Sequence, residues 1–222
     1  MNFNISTHKN SSMKKYFNLI LFFVIPFLGT TQTLEESLAP ICKKMEDAVS
    51  LYDMKVVSTS FDLVLLRFPE ELMSNYYAAY SKALLSYEES EGAQRDLILD
   101  RADENFNKVQ ALDPENSETF VLAALLANAR LSVDGGSRWK VYGALFDKNI
   151  EKAMALNPKN PRIYYLKGTS IFGMPKMFGG GPKTSKEHFV KAKELFLLET
   201  NFSIMLPHWG QQMNENYLIK CN

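Results

Sequence analysis

The sequence predicts an all-α fold, an α-solenoid of stacked antiparallel helix hairpins. Three observations predict it. Apolar residues recur at intervals of three and four over helix-length segments, and no alternating strand pattern stands out. Prolines break the pattern evenly, at Pro69 (RFPEE), Pro114 (ALDPENSE) and Pro158 (ALNPKNPR), 45 and 44 residues apart. Each proline is followed by a polar turn and then an aromatic-bearing helix: NYYAAY, ETFVLAAL and RIYYLKG. Proline stops a helix because it lacks a donor and restricts the residue before it. A helix pair repeated at a fixed interval implies hairpins laid in a row, each covering the apolar face its neighbour cannot bury alone.

Taken in order, the chain opens with a targeting signal. Lys14 and Lys15 precede an apolar run of 13 residues, Tyr16 to Leu28, and small and polar residues follow as GTTQT. That run is short for a membrane span, which needs about 20 apolar residues. The pattern is a secretory signal over 1–31 cut near Thr31, with Met13 an equally good start; the alternative is an uncleaved membrane anchor. No cysteine at the cut offers a lipid anchor. The expected location is periplasmic or secreted. Without residues 1–31, 22 basic groups face 25 acidic ones and form no basic cluster. Nucleic acid is therefore a poor partner, and the length suits one domain, 32–222. Helices are expected at 34–52, 54–67, 73–89, 92–112, 117–131, 138–156, 160–173, 184–199 and 210–219. The first and last cap hairpins spanning about 54–112, 117–157 and 160–200. Leu97, Ala102, Phe106 and Val109 stripe one helix; Val141, Leu145, Ile150 and Ala153 stripe another.

The segments from about 54 to 200 resemble the tetratricopeptide repeat. Ala102, Phe106 and Val109 before Pro114, and Phe146, Ile150 and Ala153 before Pro158, fall on its helix B stripe. Phe120 and Ala124, then Tyr164 and Gly168, fall on the large and small places of helix A. The departures are an interval about ten residues longer than the usual 34, Lys167 at a usually apolar place, and a degenerate first repeat. The extra residues lie between helix A and helix B, as VDGGSRW (133–139) and GMPKMFGGGPK (173–183). The chain looks like the exported, long-loop members of Gram-negative bacteria, and more weakly like those associated with substrate-binding transporters for organic acids. The resemblance implies a concave groove lined by helix A. Its lining, carried over by position, is Tyr77, Ser81 and Leu84; Glu118, Val121, Leu125 and Asn128; and Arg162, Tyr165, Thr169 and Phe172. The alternative is that Tyr76, Tyr77, Tyr164 and Tyr165 fill the interior.

PKMFGGGP invites a phosphate-loop reading, but a helix precedes it, the glycine spacing is wrong and Pro182 removes a donor. A sharp turn fits better, with Met174, Met177 and Phe178 packed beneath it and Thr184 or Ser185 capping the next helix. Trp139 and Trp209 are expected to anchor the insertion and the tail. His188 is expected to face solvent, and His208 lies in a turn. No catalytic constellation, metal-ligand set or cofactor motif is found. Cys42 and Cys221 are the only cysteines, and in an oxidising compartment they either pair or remain two free thiols. The expected function is a non-enzymatic module binding a protein or peptide partner. The alternatives are a small-organic-ligand carrier working with a transporter and a hydrolase whose site is not apparent.

Overall fold

The structure, a computed structural model, describes Met1 and residues 32–201, 203–207 and 209–222. The signal expected over 1–31 and the histidine at 208 fall outside the described residues, Met1 aside. Among the described residues every regular element is helical, as expected. Helices α1 (Leu34–Asp47) and α2 (Leu51–Arg67) form an N-terminal pair. Three hairpins follow: α3 (Leu72–Glu88) with α4 (Gly92–Leu112), α5 (Ser117–Val133) with α7 (Ala144–Leu156), and α8 (Pro161–Gly173) with α9 (Pro182–Phe196). A short α6 (Gly135–Arg138) and a π turn, Trp139–Gly143, sit between α5 and α7. A final helix, α10 (Gln211–Lys220), packs on α9. Each hairpin packs on the next, so the units form a row.

Local chemistry sets the boundaries. Thr33 and Glu36 close a capping box on α1, which satisfies two otherwise orphan donors. The break expected between the helices 34–52 and 54–67 comes earlier, at 48–50: Ser50 accepts from the Asp53 amide and starts α2 there. Asn116 and Asn160 cap α5 and α8 in the same way, and Pro161 occupies the first helical turn, where a missing N–H costs nothing. Helix α9 begins at Pro182, ahead of the expected caps Thr184 and Ser185; Ser185 lies inside the helix and donates to the Pro182 carbonyl.

The triple glycine is a turn. Gly179 and Gly181 have φ of 84° and 109°, and a Cβ on Gly180 would lie 2.0 Å from the Met174 carbonyl oxygen. The Gly181 amide donates to the Ile171 carbonyl at 2.9 Å, fastening the turn to the end of α8. Met174, Met177 and Phe178 are exposed rather than packed beneath it.

The stripes of α4 and α7 hold in part. Ala102, Val109, Phe146, Ile150 and Ala153 are buried, and Phe106 is half-buried. Leu97 is exposed and Leu99 takes its place. Val141 and Leu145 are also exposed. The π turn accounts for Val141, since its wider i→i+5 loop breaks the 3.6 period. Leu145 lies in regular α7 five residues before Ile150, a spacing that turns it off the stripe and leaves Phe146 in its place. Gly168 sits where an added Cβ would lie 2.5 Å from the Phe189 ring, so the small residue lets α8 and α9 close up.

Candidate functional site

The first helices of the three hairpins run parallel. At their N-terminal ends Tyr76 of α3 donates to Glu118 of α5 at 3.4 Å, and Glu118 pairs with Arg162 of α8 at 3.1 Å. At their C-terminal ends Asn128 of α5 donates to the Tyr87 hydroxyl of α3 at 3.3 Å. These helices carry the groove positions expected from sequence, and the two ends of the groove have different fates.

The N-terminal half is filled by the chain itself. The segment between α9 and α10 packs against α3 and α8, and Trp209 is buried there. Its ring stacks on Tyr80 at 4.7 Å and meets Tyr165 edge-on at 6.2 Å, while its indole N–H donates to the Tyr76 hydroxyl at 2.9 Å. Tyr77 stacks on Phe61 of α2 at 5.4 Å, and its hydroxyl lies 3.4 Å from the Leu206 carbonyl. Trp209 therefore anchors the tail, as expected, whereas Tyr77 and Tyr165 are interior groups rather than an open lining.

Arg162 is the polar centre of this half and is only 1 % exposed. Its guanidinium donates to Glu118 at 3.1 Å, to Glu199 at 2.8 and 3.3 Å, and to the Pro207 carbonyl at 2.5 Å. The Phe196 and Trp209 rings each lie 5.6 Å from it. Burial works against its charge, but Glu118 and Glu199 outweigh that and keep its pKa raised. Burial pushes the Glu118 carboxyl up, and Arg162 draws it only part of the way back. The network joins two hairpins to the tail. Arg162, expected in the groove, is a latch.

The C-terminal half is only partly covered, by Tyr217 of α10. Tyr87 is 38 % exposed, and Asn128, Thr169 and Phe172 are half-buried. Phe172 meets Tyr217 of α10 edge-on at 5.1 Å, and Tyr217 stacks on Phe189 at 5.0 Å and meets Tyr165 at 6.2 Å. Desolvation raises the Tyr87 and Tyr217 hydroxyls above their ordinary range, so both are neutral phenols at pH 7. The mouth thus presents neutral aromatic faces with an amide and a hydroxyl beside them. That chemistry suits a flat, largely apolar ligand. Asn128, Thr169 and Phe172 stay on this face as expected. Tyr87 and Tyr217 were missed. Tyr87 lies one helical turn beyond Leu84 on the same stripe, a signal present in the sequence; Tyr217 lies on a tail helix outside any repeat register.

The two cysteines do not pair. Cys42 is buried in α1 against the Tyr77 side chain, and burial pushes its thiol up to about 12. Cys221, at the end of α10, lies 3.7 Å from the Ser185 hydroxyl. Of the two alternatives the sequence leaves open, the free thiols hold, because α1 and the end of α10 pack against different neighbours. His188 is half-buried rather than solvent-facing, and burial, with help from Lys167, lowers its pKa. Trp139 is 59 % exposed, so it does not anchor its insertion. Arg138 does, through bonds of 2.6 and 2.7 Å to Asp96 of α4.

No protein family and no curated protein matches this chain. Among solved structures it is similar to the HusA haemophore from Porphyromonas gingivalis, with a TM-score of 0.68 and 26 % identity, over 83 % of this chain and 92 % of that one.

Proposed function

We propose that this chain is an exported, non-catalytic binding protein for a flat, largely apolar small molecule of the haem or porphyrin class, held at the open groove mouth by Tyr87, Phe172 and Tyr217. The reading rests on the likeness to a haemophore over most of both chains. The geometry favours it over an extended peptide. Peptide docking along helix A needs the length of the groove, and the tail segment with Trp209 already fills the N-terminal half. What remains is a short aromatic mouth, which suits one ring system.

Titration with haemin and with metal-free protoporphyrin, followed by absorbance and tryptophan quenching, tests this. Saturable 1:1 binding is expected. Phe172→Ala and Tyr87→Ala should each weaken it by roughly threefold to tenfold, the scale of one lost aromatic pair. Tyr52→Ala, on an exposed residue of α2, should leave it unchanged. Absence of saturable binding, or equal binding by all three variants, would overturn the proposal. A peptide or protein captured in place of the porphyrins, and lost in Phe172→Ala, would restore the scaffold reading.

A further inference from the structure

The two insertions share a composition that the groove does not use. Both leave the C-terminal ends of parallel helices, α5 and α8, so both emerge on the same side of the row. Each carries bulky apolar groups into solvent. Trp139 and Val141 are 59 % exposed on the π turn, and Met177 and Phe178 are 83 % and 68 % exposed on a 3₁₀ turn. Loop tips with nothing beneath them are ordinarily polar, because exposed aromatics gain nothing from water.

The charge is equally uneven. Over 133–143 and 173–183 the basic residues are Arg138, Lys140, Lys176 and Lys183, and the acid is Asp134. Asp134 is committed to capping α6, and Arg138 to Asp96. Lys140, Lys176 and Lys183 are exposed, and Lys140 lies 5.6 Å from the Trp139 ring. The chain from residue 32 onward carries more acid than base. The shorter α3–α4 turn on the same side carries exposed Glu88 and Glu91, but the two longer insertions end in cationic, aromatic tips, which match a surface that is negative outside and apolar just beneath. Indole rings prefer that boundary, and lysines extend their ammonium groups to its headgroups while their stems stay apolar.

We infer that the insertions around Trp139 and Phe178 are the feet by which this protein docks on an anionic lipid surface. Docking is peripheral: among the described residues no helix is long and apolar enough to cross a membrane. Each lysine adds attraction that decays within a Debye length, so docking weakens with salt. The inference is independent of what the groove mouth holds.

The test uses the full chain, without porphyrin, and vesicles of phosphatidylcholine with or without about one third phosphatidylglycerol. Trp139 is the reporter, isolated by subtracting the signal of Trp139→Phe. On anionic vesicles its emission should shift to the blue and be quenched by brominated acyl chains; on neutral vesicles both effects should be small. Lys140→Gln with Lys176→Gln should weaken partitioning by roughly 25-fold, taking about fivefold per lysine. Phe178→Ser should weaken it further while leaving porphyrin titration intact. Residues 1–31 are common to every variant, so differences between variants read the insertions alone. Unshifted Trp139 emission on anionic vesicles, or equal quenching in the lysine variant, would sink the inference. Loss of porphyrin binding with docking retained would instead overturn the groove proposal.

Discussion

Replacing Arg162 with methionine removes the centre of the buried network while keeping most of its volume. The wild-type cation faces two carboxylates and a carbonyl. Without it Glu118 keeps only the neutral donors Asn160 and Tyr76, and neither it nor the partly exposed Glu199 has that cation opposite. Breaking a buried pair by deleting one partner costs about 3–5 kcal/mol, because the survivor's charge is stranded. For a folded part of this size that lowers Tm by roughly 10 °C or more. The same change made in a Glu118→Gln, Glu199→Gln background strands no charge and should cost only about 1–2 kcal/mol, the lost packing and the carbonyl bond. Urea unfolding of the four combinations, followed by Trp209 emission, gives the coupling directly. The sign of the pH dependence is also fixed. Glu118 has a raised folded pKa, so the folded state takes up its proton before the unfolded state does. Losing Arg162 raises it further, so the penalty of Arg162→Met shrinks as pH falls from 7 towards 5. Equal penalties in both backgrounds, or a penalty that grows in acid, would refute the latch.

Gly168→Ala pits helix propensity, a gain of about 1 kcal/mol, against overpacking that costs about 1–3 kcal/mol. Phe189 is buried and held by Tyr217 and Tyr165, so overpacking should win and Tm should fall by roughly 2–4 °C; Phe189→Leu in the same chain should recover it, and a stabilised single variant would disprove the close contact. With a thiol pKa of about 12, Cys42 is about 10⁻⁴ thiolate at pH 8, against roughly a quarter for an ordinary cysteine. Ellman's reagent should therefore titrate one thiol in the native protein and a second only after denaturation; zero free thiols without reductant would restore the bridge. His188 has a depressed folded pKa, so it contributes stability above about pH 6.5 that is lost as pH falls through the folded value. His188→Gln should flatten the thermal-stability profile between pH 7 and 5, and an unchanged slope would show that other groups set it.

The hairpin row was legible because its signals are local. Pro69, Pro114 and Pro158 mark turns without reference to anything distant, and Gly168 declared a close approach that Phe189 occupies. Errors arose where local rules met a non-local or irregular feature. The stripe place at Val141 assumed an unbroken 3.6 period, and a single π turn removed it; Leu145 was one residue off, the place belonging to Phe146. Arg162 and Tyr165 were read as open lining because helix A positions say nothing about what later crosses them; the covering segment, around Pro207 and Trp209, has no repeat register. Trp139, Met177 and Phe178 were expected to pack on the general rule that bulky apolar groups seek shelter. Their exposure could not be read from spacing, since it depends on how far the backbone carries each turn from the row.

The bond between Trp209 and Tyr76 joins residues 133 positions apart. A row of repeats touching only nearest neighbours behaves as a one-dimensional chain, free to fray from either end and to populate half-melted forms. Here the late segment reaches back to the earliest hairpin, so the last unit cannot loosen without uncovering the first. The array becomes a closed circuit of contacts. Its unfolding is expected as one concerted transition, with no stable intermediate until the chain through Trp209 is in place.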